Sequence, residues 1–306
     1  MGVADTLMLL DSASLYFRAF YGVPETVVAP DGTPVNAVRG LLDMISMLVG
    51  KYHPQRLVAC MDADWRPSFR VAAVPSYKAH RVAPAGGEEV PDTLSPQVPV
   101  LQAVLRAVGI AQLGVAGHEA DDVIGTLATV HTGPVDIVTG DRDLFQLVRD
   151  DQPVRVLYTA KGMRDLPAID EAEVTRRYGI PGRSYADFAL LRGDPSDGLP
   201  GVPGVGDKTA AGIISRYGSV EALLVALDQP PEPGLSPSVR AKLVGAKDYL
   251  VAARPVVDVV RDLLVPADLD DVLPTRAADP GALVTLSERW GLDSPLNRLL
   301  SVLGSR

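Results

Sequence analysis

Nine acidic residues occupy places where they can do chemistry: Asp11, Asp62, Glu119, Asp121, Asp122, Asp141, Asp143, Asp194 and Asp197. Several fall in tight groups. His118-Glu119-Ala120-Asp121-Asp122 precedes an apolar helical pattern, Thr139-Gly140-Asp141-Arg142-Asp143 follows a strand-like run, and Gly193-Asp194-Pro195-Ser196-Asp197-Gly198 reads as a loop. Singly, each group has an ordinary structural explanation, since acids cap helix N-termini and suit turns. Together they exceed it, because Glu119, Asp121 and Asp122 crowd like charges into one turn beyond what capping needs. If the fold gathers the strand-end acids at the same place, repulsion on the order of several kcal/mol must be offset by positive charge. Oxygen ligands suit hard divalent cations. The four histidines (His53, His80, His118 and His131) are scattered and there is one cysteine, so no zinc-type set exists. The expected ions are Mg²⁺ or Mn²⁺ at two positions. Two such ions roughly 3.5–4 Å apart support in-line displacement at phosphorus, which makes phosphodiester hydrolysis the expected reaction.

Two further stretches could grip phosphate. From Trp65 to Gly87 there is no carboxylate, while Arg66, Arg70, Lys78 and Arg81 lie there with Tyr77 and His80. In a chain of net charge −9 this is a local reversal of sign. Its plain reading is a solvated face; its functional reading is a phosphate-gripping strip, with Tyr77 available to stack on a base. The second stretch is Gly201-Val202-Pro203-Gly204-Val205-Gly206-Asp207-Lys208-Thr209-Ala210. A glycine-rich turn opening a helix presents backbone N–H groups that bind phosphate without reading sequence. The spacing before Lys208 is wrong for a Walker A loop and no strand precedes it. A dinucleotide fingerprint is disfavoured as well, because the stretch lies in the helical half. The plain reading is a turn connecting helices, and the functional reading that fits better than either phosphate loop is a hairpin between two helices that holds a duplex backbone.

The elements that must position these residues change along the chain. Short apolar runs at Thr6–Leu10, Arg56–Met61, Val135–Val138 and Val154–Tyr158 predict strands. Helical spacing at Asn36–Val49, with Asn36 as N-cap, at Val98–Val108 and at Asp121–Val130 separates them. Strands alternating with helices imply α/β architecture with a mostly parallel sheet buried on both faces. In an open sheet of that kind the functional crevice lies at the carboxyl ends of the strands. Asp11, Asp62 and Asp141 follow three of these runs and are expected to meet there. After about Gly179 strands become scarce and helices are expected at Ser184–Arg192, Lys208–Tyr217, Val220–Leu227, Ser238–Ala253 and Ala282–Trp290, with Gln229–Pro237 as a loop. The expected domains are therefore 1–180 and 181–306, the second helical.

Composition bounds the partners. The 306 residues, 47% of them hydrophobic and 22% charged, fit two ordinary globular domains and not a disordered acidic chain. One cysteine, Cys60, gives no disulfide framework, so a reducing, cytoplasmic location is expected. No apolar run approaches the ~20 residues of a membrane span, and Met1–Asp5 lacks the basic start of a signal peptide. Net acidity argues against coating nucleic acid and leaves room for local basic contacts.

The order of these motifs resembles the bacterial 5′-3′ exonuclease and flap endonuclease family, which includes the N-terminal nuclease domain of DNA polymerase I. The matching stretches are Leu10-Asp11, Met61-Asp62-Ala63 with Pro67-Ser68-Phe69-Arg70, Tyr77-Lys78-Ala79-His80-Arg81, Glu119-Ala120-Asp121-Asp122, Thr139-Gly140-Asp141-Arg142-Asp143, Gly193-Asp194-Pro195-Ser196-Asp197 and Leu199–Gly206. They run collinearly over most of the chain. The resemblance implies a PIN-like nuclease domain followed by a helical domain carrying a helix-three-turn-helix hairpin. It implies that Asp11, Asp62, Glu119, Asp121 and Asp122 surround a first metal, and Asp143, Asp194 and Asp197 a second, with Asp141 between them. Lys78 and Arg81 would contact the scissile phosphate at the base of a helical arch spanning about 78–98. Tyr77 would lie near a flipped or frayed end, Arg70 and Arg18 beside phosphate, and Gly201, Gly204, Gly206 and Lys208 on the duplex backbone, around a K⁺ ion. The implied activity is cleavage of 5′ flaps and 5′ ends of branched DNA, RNA-primed flaps included, in primer removal and repair. The chain stops at Arg306, so the stand-alone form is expected. Ser12 and Gly198 replace residues common in the family, and Gly86-Gly87-Glu88-Glu89 makes the arch looser and more acidic. Two rivals are a non-catalytic branched-DNA binder, which would gain nothing from clustered acids, and a PIN-type ribonuclease, against which the glycine-rich hairpin argues.

Overall fold

The computed structural model describes residues 5–231 and 234–305. Met1–Ala4 of the signal-peptide reading and Glu232 and Pro233 of the expected Gln229–Pro237 loop lie outside them. The chain runs β1 (Leu7–Asp11), α1 (Ser12–Gly22), α2 (Asn36–Tyr52), β2 (Arg56–Cys60), α3 (Ser68–Ala73), α4 (Gln97–Val108), β3 (Ala111–Leu113), α5 (Ala120–Val130), β4 (Val135–Thr139), β5 (Val154–Tyr158), β6 (Ala168–Ile169) and α6 (Glu171–Tyr178). The four expected strands are all present. The two short edge strands β3 and β6 are additional, because three and two residues carry too little periodicity to be read.

The sheet order is β3-β2-β1-β4-β5-β6, parallel throughout except for the antiparallel β5–β6 pair. β1 is central and wholly buried, which is why its sequence is continuously apolar and not alternating. It pairs with β2 on one side and β4 on the other, so the strand order reverses there. In register, Leu7 lies opposite Arg56 and Val135, and Asp11 opposite Cys60. Odd positions of β1 (Leu7, Leu9) pack into one apolar layer with Val123, Ile124 and Leu127 of α5, and even positions (Met8, Leu10) into another with Leu41, Ile45 and Leu48 of α2. The carboxyl ends of β1 and β4 thus form the reversal point of an open α/β sheet covered on both faces.

The second half continues with α7 (Tyr185–Arg192), α8 (Asp207–Tyr217), α9 (Val220–Leu227), α10 (Pro237–Gly245), α11 (Lys247–Ala252), α12 (Arg254–Val257), α13 (Pro280–Trp290) and α14 (Asp293–Gly304). The single helix expected over Ser238–Ala253 is broken at Ala246. A larger departure follows. α13 and α14, expected with the helical half, pack against α4 and α2 of the first half, where Leu283, Leu296, Leu299 and Leu303 join the α2 layer. The chain returns through an irregular segment pinned by Leu57 N to Asp271 O (2.8 Å) and Leu273 N to Gln55 O (3.0 Å). Asn36 also departs from its expected role: it lies inside α2, and its Nδ2 donates to Phe20 O and Val23 O at 2.8 and 3.0 Å. No single helix among the described residues is long and apolar enough to cross a membrane.

Candidate active site

Asp11, Asp62, Asp121 and Asp141 reach the sheet's carboxyl edge from four different elements. Asp11 ends β1 and caps α1, accepting Ser14 N at 3.1 Å through Oδ1 and the Thr139 hydroxyl at 2.6 Å through Oδ2. Asp62 follows β2 by two residues and accepts Ala120 N at 2.7 Å, which ties it to the start of α5. Asp121 lies in the first turn of α5. Asp141 follows β4; its N–H donates to Thr139 Oγ1 and its Oδ1 accepts Asp143 N, both at 2.9 Å. A pocket of about 460 Å³ results, walled by Asp11, Asp62, Glu119, Asp121 and Asp141 and by the cations Arg18, Lys78, Arg81 and Arg142. The remaining loop acids flank it. Asp194 accepts Ser196 N at 2.9 Å and lies 3.6 Å from Arg142, and Asp197 Oδ1 lies 3.7 Å from Arg81.

The electrostatics record crowding. Burial, with Asp62 and Asp141 nearby, pushes the Asp11 carboxyl up to about 7. Burial, opposed by Lys78 and reinforced by Asp141 and Glu119, pushes Asp197 up to about 6. Asp121 is raised by burial, Asp141 and Asp11, and Asp143 by burial, Asp141 and Asp197. These are like charges held together in a poorly solvated place. Asp143 Oδ1 is buried without a hydrogen-bond partner, as is Arg18 Nε. Among the described residues no three acidic or histidine side chains form a ready-made coordination shell. The donor set is nonetheless all oxygen and converges on one pocket. Although Lys78 and Arg81 pair with Glu119 and Asp197, Asp11, Asp62 and Asp121 are held close together with burial raising their carboxyls, which fits a hard divalent cation.

Four expectations need correction. Asp122 does not face the pocket: it is fully buried, holding Arg70 Nη2 at 2.6 Å, Val260 N at 2.9 Å and His118 Nδ1 at 3.2 Å. Arg70 is not a DNA contact, being 2% exposed and spent on Glu119 and Asp122. Tyr77 is not free to stack on a base; it is 2% exposed and donates to Glu119 Oε2 at 2.6 Å. Glu119, which also receives Lys78 Nζ, is therefore the hub of a buried cation–tyrosine network as well as part of the wall. Finally, the expected helical arch over 78–98 is absent: a single 3₁₀ turn, Ala79–Arg81, is followed by irregular chain up to α4. Lys78 itself is left-handed (φ 46°), which starts that turn.

In the glycine-rich hairpin, Gly201 has φ 65°, and a Cβ there would meet the Arg192 and Gly193 backbone at 2.4 Å, so this glycine is demanded by packing. Gly204 lies beside Lys242 Nζ, whereas Gly206, just ahead of α8, faces open space. Lys208 is exposed in the first turn of α8. Sequence reasoning missed three residues at the pocket. Ser14 Oγ accepts Gly140 N at 2.9 Å and so joins α1 to the β4 loop; Arg142 and Glu88 line the wall. Ser14 was findable from Asp11-Ser12-Ala13-Ser14, a helix-start pattern; Glu88 had no local signal.

Residues 6–179 match the family model described as 5′-3′ exonuclease, N-terminal resolvase-like domain, and residues 180–280 the model described as 5′-3′ exonuclease, C-terminal SAM fold. A 5′-3′ exonuclease of Streptomyces coelicolor is 60% identical over 97% of this chain and 99% of its own length. One from Mycobacterium tuberculosis is 50% identical over 97% of each. DNA polymerase I of Mycobacterium tuberculosis is 43% identical over 84% of this chain and 27% of its own length. Among solved structures, the T5 D15 protein co-crystallised with metal ions superposes with TM-score 0.65 at 18% identity, covering 98% of both chains. The catalytic core of Rad2 in complex with DNA substrate gives TM-score 0.61 at 15% identity, covering 98% of this chain and 92% of that one. At these identities the two structures show the shared fold. The chain belongs to the 5′-3′ exonuclease family and is a nuclease.

Proposed function

We propose that this nuclease hydrolyses phosphodiester bonds at 5′ flaps and 5′ ends of branched DNA, in primer removal and repair, using two divalent cations. The observation that carries the reading is one pocket in which six carboxylates, Glu88 among them, face four cationic side chains. Asp11, Asp62, Glu119, Asp121 and Asp141 are the first candidates to hold the ions, with Asp143, Asp194 and Asp197 completing a second position. Mg²⁺ or Mn²⁺ held there supplies Lewis acidity and lowers the pKa of water. The chain's own residues do the rest. Arg18, Lys78 and Arg81 attract and orient phosphate, Arg18 with an unspent Nε. Thr139 and Ser14 fix the Asp11 carboxylate by hydrogen bonds from either side. The Gly201–Gly206 turn, with Lys208 and Lys242 beside it, offers backbone N–H groups to the duplex phosphates, around K⁺. The lone, buried Cys60 suits a cytoplasmic setting.

A 5′-flap duplex incubated with Mg²⁺ or Mn²⁺ should be cut near the junction, and Asp121→Asn should slow this by more than about a hundredfold, since even outer-shell losses cost up to that much. Cutting that persists unchanged in EDTA rejects the cation mechanism; faster turnover of single-stranded RNA than of flap DNA rejects the substrate.

A further inference from the structure

The segment between the Ala79–Arg81 turn and α4 crosses the pocket's rim without helix, and both its ends are fastened. At the near end Lys78 N donates to Asp197 O at 3.0 Å and Arg81 Nη2 to Ser196 O at 2.9 Å. At the far end Leu94 is fully buried with Phe20 and Ala37, and Val90 packs beside them. Thr93 Oγ1 meets Glu25 Oε1 at 3.0 Å, and Gln97 Nε2 donates to Asn36 Oδ1 at 2.9 Å. Between these anchors the chain doubles back, with Val82 bridged to Glu88 around Gly86 and Gly87, both left-handed at φ 84° and 81°. That turn sets the half-buried Glu88 into the wall that also holds Asp62, Lys78 and Arg81. Glu88 is thus the one carboxylate in that wall contributed by the strap.

We propose that Glu88 is a specificity-determining residue, an anionic gate on the fastened strap that disfavours a long single-stranded 5′ arm relative to a short 5′ end. This rests on the nuclease reading above. Lys78 and Arg81 attract phosphate, and Glu88, sharing their wall without pairing directly to either, sets a negative charge beside the same path. A frayed end reaches the acids with few phosphates near the strap. A long arm must carry phosphate after phosphate past a fixed negative charge, and the two fastened ends leave the strap little freedom to withdraw it. One unit charge several ångströms from a phosphate, partly screened, is worth roughly three- to tenfold in an equilibrium constant.

The test is steady-state cleavage of a long-flap duplex and a nicked duplex by wild type, Glu88→Gln and Glu89→Gln, each across a Mg²⁺ titration. Glu89 is exposed and outside the wall, so its variant controls for net charge. Glu88→Gln should raise the flap-to-nick ratio of kcat/KM roughly three- to tenfold, chiefly through KM, with the gain shrinking as salt rises. Glu89→Gln should leave the ratio alone. An unchanged ratio in Glu88→Gln, an equal rise in Glu89→Gln, or a higher Mg²⁺ requirement in Glu88→Gln overturns the gate, the last by making Glu88 a cation ligand. Wild type that cuts neither substrate removes the nuclease reading and the gate with it. Wild type that cuts both, with a flat ratio in the variant, removes the gate alone.

Discussion

Tyr77 donates its hydroxyl to Glu119 Oε2 from a ring that is almost wholly buried, and Glu119 also holds Arg70 and Lys78. The hydroxyl therefore orients an acid of the pocket wall and does not meet substrate. Tyr77→Phe keeps the ring and removes only that bond. Unfolding free energy should fall by about 1–2 kcal/mol, and the Mg²⁺ concentration for half-maximal activity should rise by up to about tenfold. Denaturant titration and a metal titration read the two effects. If both are unmoved while flap affinity drops, Tyr77 touches DNA after all. The residue types around this network were visible in the sequence, but their commitments were not. Arg70 and Tyr77 sit in a carboxylate-free stretch that reads as a phosphate strip, and only the fold shows that Glu119 and Asp122, 49 and 52 residues away, consume the Arg70 charge. Asp122 closes a capping box with Glu119 three residues before it, and helical spacing alone would have grouped the two; only its buried partners Arg70, Val260 and His118 show that its carboxylate is turned away from the pocket. Asp11, Asp62, Asp121 and Asp141 were legible because each stands at or just beyond an apolar element, where a parallel sheet exposes its functional edge.

At the scale of elements, strands and long helices were legible because their apolar periodicity is set by burial on the sheet. The arch was not, because it has neither periodicity nor core contacts between Val82 and Glu89, and its form follows from Gly86-Gly87 and from anchors on other elements. The glycine-rich hairpin separates two uses of glycine that its sequence merges. Gly201 is left-handed and pressed against the Arg192–Gly193 backbone, while its N–H donates to the Tyr249 hydroxyl at 3.1 Å. Gly206 has ordinary φ of −102° and open space where a Cβ would stand. Gly201→Ala should therefore lower stability by about 1–3 kcal/mol through strain at a position that tolerates no side chain. Gly206→Ala, at the N-cap of α8, should cost no more than about 0.5–1 kcal/mol and weaken duplex binding, because its methyl would keep a phosphate backbone from closing on the α8 N-terminus. Thermal melts and a salt-controlled duplex-binding titration distinguish the two. Equal behaviour of the variants in both assays would show that the turn is only a connector.

The whole molecule carries the cost of its pocket as a pH dependence. Asp11 is raised from 3.8 to about 7 and Asp197 to about 6 in the folded state, with Asp121 and Asp143 raised in the same direction. A carboxyl whose folded pKa exceeds its unfolded one binds more protons when folded. Its contribution to stability is therefore complete below about pH 4 and is lost as pH climbs through the folded value. In EDTA the melting temperature should accordingly fall between about pH 5 and pH 8, opposite to the rise usual when native carboxylates are ion-paired. A bound divalent cation reverses the preference, since it requires the ionised form. With saturating Mg²⁺ or Mn²⁺ the decline should flatten, so the gap between metal-free and metal-loaded melting curves widens with pH, and activity should rise over the same interval. Asp11→Asn removes one of the raised acids while keeping a side chain able to cap α1, because asparagine caps as well as aspartate. Its metal-free protein should be the more stable at pH 8 and the less active, with a shallower slope against pH. Parallel melting curves with and without cation across that range, or a metal-free wild type that grows more stable as pH rises, would mean that the gathered carboxylates are satisfied by the protein's own arginines and lysine, and that no cation is needed to hold this pocket together.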